Sequence, residues 1–185
     1  MKLNDKNIVN WTLLSYEDWK LYIAATSKGL CFVGSQESSF EELENWVKQN
    51  LNEYSLLEDD DALKPYVFEL IEYLKGNIQN FTIPMDFYGT PFQIEVWNAL
   101  NNIPFGETRT YSEIAKLINR PKAARAVGGA IGANSILITV PCHRVIGSNG
   151  TLTGFRGGFV MKTKLLEIEQ SSSKMKGMIP NAISY

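Results

Sequence analysis

Apolar and polar residues alternate through positions 9–16 and again through 21–25; Gly29 then interrupts the chain before a third apolar run at 30–33. A period of two sends successive side chains to opposite faces of a strand, so this stretch predicts a small antiparallel meander. Beyond it the period becomes helical. Ser38 or Ser39 can cap a helix running through about Asn52, with Phe40, Leu43, Trp46, Val47 and Leu51 on one face. The acidic run 58–61 precedes a second helix, from about Ala62 to Lys75, closed by Gly76. Strands followed by helices predict an α/β chain of the α+β kind. No reactive side chains converge in this half, which reads as a scaffold.

A length of 185 residues fits one large domain or two small ones, and an apolar fraction of 44% is enough for a core. No apolar run approaches the roughly 18 residues of a membrane span, so no membrane partner is expected. The first ten residues lack the apolar stretch of a secretory signal, which points to the cytoplasm. Both Cys31 and Cys142 should then stay reduced. Two Cys and one His cannot make a four-ligand zinc site by themselves, and no carboxylate spacing suggests a mixed one. The net charge of −2 conceals a split: residues 1–89 carry 7 Lys and Arg against 15 Asp and Glu, and residues 90–185 carry 11 against 5. The second half is therefore the candidate polyanion-facing half, unless the two surfaces simply attract each other.

A short strand at 81–85 and a turn at Tyr88-Gly89 form the expected linker. Thr90-Pro91-Phe92-Gln93 then makes a capping box with Pro at the first helical position, opening a helix to about Asn101 that buries Phe92, Val96, Ala99 and Leu100. A second box, Thr110 to Glu113, opens a helix over 111–118. After a turn at Asn119-Arg120, Pro121 starts a further helix from Lys122 to about Ile131. Two short helices with a tight turn between them form a helix-turn-helix pattern. The second helix, KAARAVGGA, exposes mostly Ala and Gly, with Arg125 its only long central side chain. Such a helix can approach a surface closely but cannot read base edges, and taken alone it equally suits a tightly packed interior.

The β-branched run at 136–140 predicts a buried strand delivering Pro141-Cys142-His143-Arg144; a glycine-rich loop at 147–158 and a helix from about Phe159 to Glu169 follow. A free thiol is only about 3% ionised at pH 7, and a basic imidazole or nearby cations can raise that fraction. On an extended strand, however, neighbouring side chains face apart, so Cys142 and His143 can cooperate only if the chain turns at Pro141 or a water or further residue links them. Glu167 and Glu169 are the carboxylates available to orient the imidazole.

The hexapeptide Pro141-Cys142-His143-Arg144-Val145-Ile146 resembles the acceptor-site signature of the O6-alkylguanine-DNA alkyltransferases, the methylated-DNA–protein-cysteine methyltransferases. The resemblance extends over about residues 89–169 and includes GTPFQIEVWNAL, IPFGETRTYSEIA, PKAARAVGGAIGAN, ITVPCHRVIGSNGTLTGFRGG and KTKLLEIE in family order. It implies a ribonuclease-H-like scaffold over 1–87, a mainly helical, winged-helix-like domain over 88–170 and a mobile tail over 171–185. It implies that Cys142 accepts an alkyl group irreversibly from O6-methylguanine, and from O4-methylthymine, activated through a water by His143, which Glu169 orients. Tyr111 would line the pocket, touch the DNA backbone and protonate the leaving guanine. Arg125 would fill the gap left by the flipped nucleotide, with Ala123, Ala124 and Gly128 letting the helix enter the minor groove of double-stranded DNA. Asn134 would brace the turn beneath the site, and Val145, Leu152 and Phe155 would line the guanine pocket. The resemblance implies a monomer that needs no cofactor.

Each role has a plainer competitor. Tyr111 can be a core tyrosine, Arg125 a surface charge, Asn134 a helix cap and Glu169 a solvated carboxylate; Arg144 reads as structural, holding the site loop by charge-assisted hydrogen bonds. Two positions depart from the family pattern. Ser135 stands where Pro is common, and Arg156 replaces a small or hydroxylic residue, which puts tolerance of bulky alkyl groups in doubt. Two other functions compete: a lesion sensor lacking the acceptor cysteine, which this chain retains, and a cysteine hydrolase, which would turn over small esters.

Overall fold

The computed structural model describes residues 8–152 and 154–178. In the expected meander, β1 (Ile8–Tyr16) pairs antiparallel with β2 (Trp19–Thr26), and β2 with β3 (Gly29–Val33) across an irregularity at Ala24/Ala25. Gly29 is required by a close approach: its φ is +150°, and a Cβ there would lie 2.5 Å from the Pro84 carbonyl oxygen. The helix α1 (Phe40–Asn50) has Ser39 at its N-cap and leads to β4 (Ser55–Glu58), which pairs in parallel with β1 and gives the order β3-β2-β1-β4. The sequence reading misses β4, because four residues are too few to establish a period. The helix α2 (Asp60–Leu74) begins two residues earlier than expected, where the Asp59 carboxylate accepts the Ala62 N–H at 2.9 Å.

The two faces of this sheet are used differently. Val9, Ala24, Cys31 and Phe32 form one small core with Leu43 and Val47 of α1 and with Leu51 just past its end. Leu14, Leu21, Ile23 and Leu30 pack on the other face with Leu63, Leu70 and Tyr73 of α2, in a core that continues through Val96, Trp97, Val127, Val140 and Cys142. The second half is thus packed onto the sheet of the first, and β3 is buried along its whole length because both of its faces are covered.

The expected strand at 81–85 does not form. Only Met85 bridges to Leu30; Pro84 has no N–H to give a ladder, and the Thr82 N–H is taken by the Glu69 carboxylate at 2.7 Å. Both capping boxes are present, at Thr90/Gln93 for α3 (Pro91–Leu100) and Thr110/Glu113 for α4 (Tyr111–Leu117). Val96 and Leu100 are buried in α3, whereas Phe92 and Ala99 are only half-buried. Trp97, also buried, donates its indole N–H to the Ala130 carbonyl at 2.8 Å and so ties α3 to α5. The helix α5 (Ala124–Gly132) starts later than Lys122, because Asn119 adopts φ 57° and the Ala123 N–H closes a turn on the Arg120 carbonyl. Between α4 and α5 the helix-turn-helix is therefore real, with a longer turn than expected.

The run 136–140 is buried, as its composition implies, but it is not a strand. After a single bridge from Ile136 to Val33 it coils: the Thr139 N–H donates to the Leu137 carbonyl, the Val140 N–H to the Ile136 carbonyl, and Ile138 takes φ 70°. The Ile136 N–H and the Ile136 and Val140 carbonyls find a side chain, Asn134, in place of a neighbouring strand. Short parallel strands β5 (Arg109–Thr110) and β6 (Val145–Ile146) pair beyond it. The last helix, α6 (Gly158–Met178), does not stop near Glu169: the stretch from Ser171, expected to be a tail, continues the helix to Met178, and the remainder of that expected tail lies outside the described residues, as does the amino-terminal stretch 1–7. No described helix is long and apolar enough to cross a membrane.

Candidate active site

Cys142 opens a 3-10 turn, Cys142–Arg144, whose first N–H donates to the Val140 carbonyl at 2.7 Å. The chain does turn at Pro141, which removes the objection that applies to a strand. Cys142 is 1% exposed, and the Asn134 side-chain amide donates to its Sγ at 3.1 Å. That amide also faces the Ile136 and Val140 carbonyls, and its oxygen accepts the Ile136 N–H at 2.9 Å. Asn134 is thus fully buried, and its amide ties Sγ to the backbone of the turn.

His143 is completely buried, with Nε2 2.8 Å from Oε1 of Glu169 and 3.1 Å from the Tyr73 hydroxyl. Glu169 is the buried carboxylate of α6, and Glu167 is exposed. The Glu169 carboxylate accepts from His143, the Tyr73 hydroxyl, Nε and Nη2 of Arg144, and the Gly106 backbone N–H at 2.8 Å. Burial would raise its pKa, but the hydrogen bond and charge of His143 and then of Arg144 outweigh that and bring it down to about 2. An ionised carboxylate only accepts, so His143 carries its proton on Nε2 and presents a bare acceptor at Nδ1. No side chain or backbone group among the described residues occupies Nδ1, and no hydrogen bond joins it to Cys142. Burial also holds the imidazole below its ordinary pKa, against the pull of Glu169, so the ring is neutral near pH 7. Arg144 holds the site loop by such bonds; its Nη1 donates to the Ile103 carbonyl at 2.6 Å and its guanidinium lies 5.7 Å from the Phe105 ring centre.

Burial raises the Cys142 thiol above its usual pKa, while the Asn134 hydrogen bond and the charges of Arg156 and Lys162 act in the opposite direction. The resting group is a thiol. Lys162 is buried on α6 and donates to the Val145 carbonyl at 2.5 Å, its pKa lowered to about 8 by burial. Among the expected pocket residues, Val145 is buried, Leu152 and Phe155 are half-buried, and the Phe155 ring centre lies 6.5 Å from that of His143. Thr153, between them, lies outside the described residues. Tyr111 starts α4 with its ring beside both α5 and the pocket loop: a Cβ added at Gly128 would sit 3.7 Å from the ring, and one at Gly154 would sit 2.8 Å from its hydroxyl. Arg125 projects from α5 as an exposed side chain, with Ala123, Ala124 and Gly128 half-buried beside it.

The sequence reading misses Tyr73 and Lys162, and it does not foresee the partners of Arg156. The Arg156 guanidinium donates to the carbonyls of Asn134, Val33 and Ser135 and pairs with Glu42 of α1 at 2.5 Å. These contacts commit it to the backbone of 33 and 134–135 and to α1. Ser135, the other departure, donates its hydroxyl to the Cys31 carbonyl at 3.0 Å. Lys162 could have been found, because it shares the buried stripe of α6 with Met161, Leu165 and Glu169, where a cation at helical spacing is out of place. Tyr73 carries no such signal.

Residues 91–171 match the family model described as the DNA binding domain of 6-O-methylguanine DNA methyltransferase, and residues 9–87 match its ribonuclease-like domain. The inducible methylated-DNA–protein-cysteine methyltransferase of Bacillus subtilis (strain 168) is 56% identical over 169 residues, 91% of this chain and 94% of that protein. A methylated-DNA–protein-cysteine methyltransferase of Mycobacterium tuberculosis (strain ATCC 25618 / H37Rv) is 52% identical over 113 residues, 61% of this chain and 68% of its own. Among solved structures, Mycobacterium tuberculosis OGT in complex with DNA superposes with a TM-score of 0.74 at 38% identity, covering 89% of this chain and 94% of that one. The O6-methylguanine-DNA methyltransferase of Pyrococcus kodakaraensis superposes with a TM-score of 0.68 at 26% identity, covering 87% and 98%. Both halves match one family in a single order, and the chain belongs to the 6-O-methylguanine DNA methyltransferases.

Proposed function

We propose that this protein repairs alkylated DNA by moving the alkyl group from O6 of guanine onto Sγ of its own Cys142, once per molecule. The observation that carries the reading is the buried His143–Glu169 pair at 2.8 Å, which leaves Nδ1 without a partner among the described residues, on the residue next to a buried thiol. A water between Nδ1 and Sγ would pass the thiol proton to His143 as the sulfur attacks the alkyl carbon. The carbon–oxygen bond breaks, its electron pair returns to the base, and the Tyr111 hydroxyl supplies the leaving guanine with a proton that imidazolium and solvent restore. The products are guanine and a thioether, which has no good leaving group.

A thiol this buried reaches only a base lifted out of the helix. Flipping costs a few kcal/mol, less at a damaged pair, so poor pairing itself favours selection. In this reading α5 lies in the minor groove, Arg125 takes the place of the flipped nucleotide, and Ala123, Ala124 and Gly128 permit the close approach; a single copy suffices. Thymine alkylated at O4 presents the same kind of alkyl–oxygen bond and belongs to the same substrate class. The test is peptide mass mapping after incubation with a duplex containing O6-methylguanine. One methyl group on the peptide containing Cys142, and none with Cys142→Ala, is expected; methyl on Cys31, or product formed by Cys142→Ala, would refute the assignment.

A further inference from the structure

We infer that Tyr73, supplied by the amino-terminal half of the chain, is a positioning residue for the acceptor site: its hydroxyl sets how strongly Glu169 holds the proton on His143. The inference rests on the roles given above to Cys142 and His143 and adds a residue from α2, a helix otherwise concerned with packing.

Tyr73 is completely buried, its ring held between Phe81 at 5.2 Å and Phe105 at 5.8 Å. A phenol in such surroundings costs stability unless its oxygen is hydrogen-bonded, and a phenylalanine would fill the same space. The hydroxyl's partners are not local. It donates to Oε1 of Glu169, 96 residues away in sequence, and lies 3.1 Å from Nε2 of His143. With the Tyr73 proton directed at Glu169, a phenolic lone pair remains toward the Nε2–H, and the three groups close a ring of hydrogen bonds. Burial and the Glu169 charge raise the phenol well above its ordinary pKa, so it stays a donor at every working pH.

The charged and titratable groups acting on His143 are Glu169 and Lys162 from α6, Arg144 from the turn, and Tyr73 from α2. Glu169 alone favours the imidazolium; the other charges oppose it. Each donor to Oε1 spreads the carboxylate charge and weakens its pull on the ring. Removing the Tyr73 hydroxyl therefore strengthens that pull and makes His143 easier to protonate, and a stronger phenolic donor does the opposite. A protonated His143 cannot take the thiol proton, so the acid limb of alkyl transfer follows the same shift.

His143 is the only histidine in the chain, so one imidazole 15N resonance pair reports it without assignment ambiguity. The experiment is a 15N NMR titration of the full-length protein beside single-turnover transfer rates over the same pH range. Tyr73→Phe is expected to raise the His143 pKa by about half a unit to one unit and to move the acid limb by the same amount. Site-specific 3-fluorotyrosine at position 73 keeps the shape, makes the phenol a stronger acid, and is expected to move both readings the other way. An unchanged His143 titration in both proteins, with at most a loss of thermal stability, overturns the inference. A titration that moves while the acid limb stays fixed overturns the role given to His143 in transfer and leaves the hold of Tyr73 on Glu169 standing.

Discussion

Cys142 rests as a thiol, because burial raises its pKa, and the adjacent His143 is held below its ordinary pKa by burial. Native protein at pH 7 should react with iodoacetamide at Cys142 at least about tenfold more slowly than free cysteine, rising only above its ordinary pKa. Mass spectrometry after timed quenching reads this, and labelling as fast as free cysteine would contradict it. Asn134 joins Sγ to three backbone groups from inside a sealed site. Asn134→Ala should cost about 2–4 kcal/mol in urea unfolding, since it strands buried polar groups. Glu169 has its folded pKa near 2 against an unfolded value near 4.5, so its contribution is complete above pH 4.5 and drains as pH falls toward 2. Glu169→Gln is accordingly expected to lose on the order of 3 kcal/mol at pH 7 and to approach the parent protein in stability near pH 2.

Among the elements, α5 pairs an exposed arginine with a face of small residues, and α4 brings Tyr111 between that helix and the pocket loop. If Arg125 acts on the DNA and not on the reaction, Arg125→Ala should slow transfer from duplex DNA by tenfold or more while leaving transfer from a free O6-alkylguanine base within about twofold. Equal losses on both would place Arg125 in the chemistry. The helices were legible because capping boxes and apolar periodicity are local: Thr90 with Gln93 and Thr110 with Glu113 each need only four residues. The run 136–140 misled because β-branched composition reports burial and not pairing. Its backbone bonds go to turns and to Asn134, an arrangement with no sequence period. Tyr73 was illegible for a different reason. Its partners lie 70 and 96 residues away, and within α2 it reads as one more core aromatic.

At the scale of the molecule, the acceptor site is shared between halves. Tyr73 reaches Glu169 from α2, and Arg156 fastens the pocket loop to the Val33 carbonyl and to Glu42, which in turn accepts from the Ser35 N–H and hydroxyl. The amino-terminal half is more than the scaffold its sequence suggests. A double-mutant cycle of Arg156→Ala with Glu42→Gln should give a coupling of about 1–3 kcal/mol in unfolding free energy, and additivity would show the link to be incidental. The excess of acid in residues 1–89 and of base in 90–185 makes the carboxy-terminal half the one expected to meet DNA. The central claim is that Cys142 is a reagent consumed in one transfer. It is tested most directly by titrating a fixed amount of protein with excess duplex carrying a labelled O6-methylguanine. Label on protein should plateau at one methyl per molecule, all of it on Cys142, with an equal amount of guanine restored; repair continuing past that plateau would contradict it.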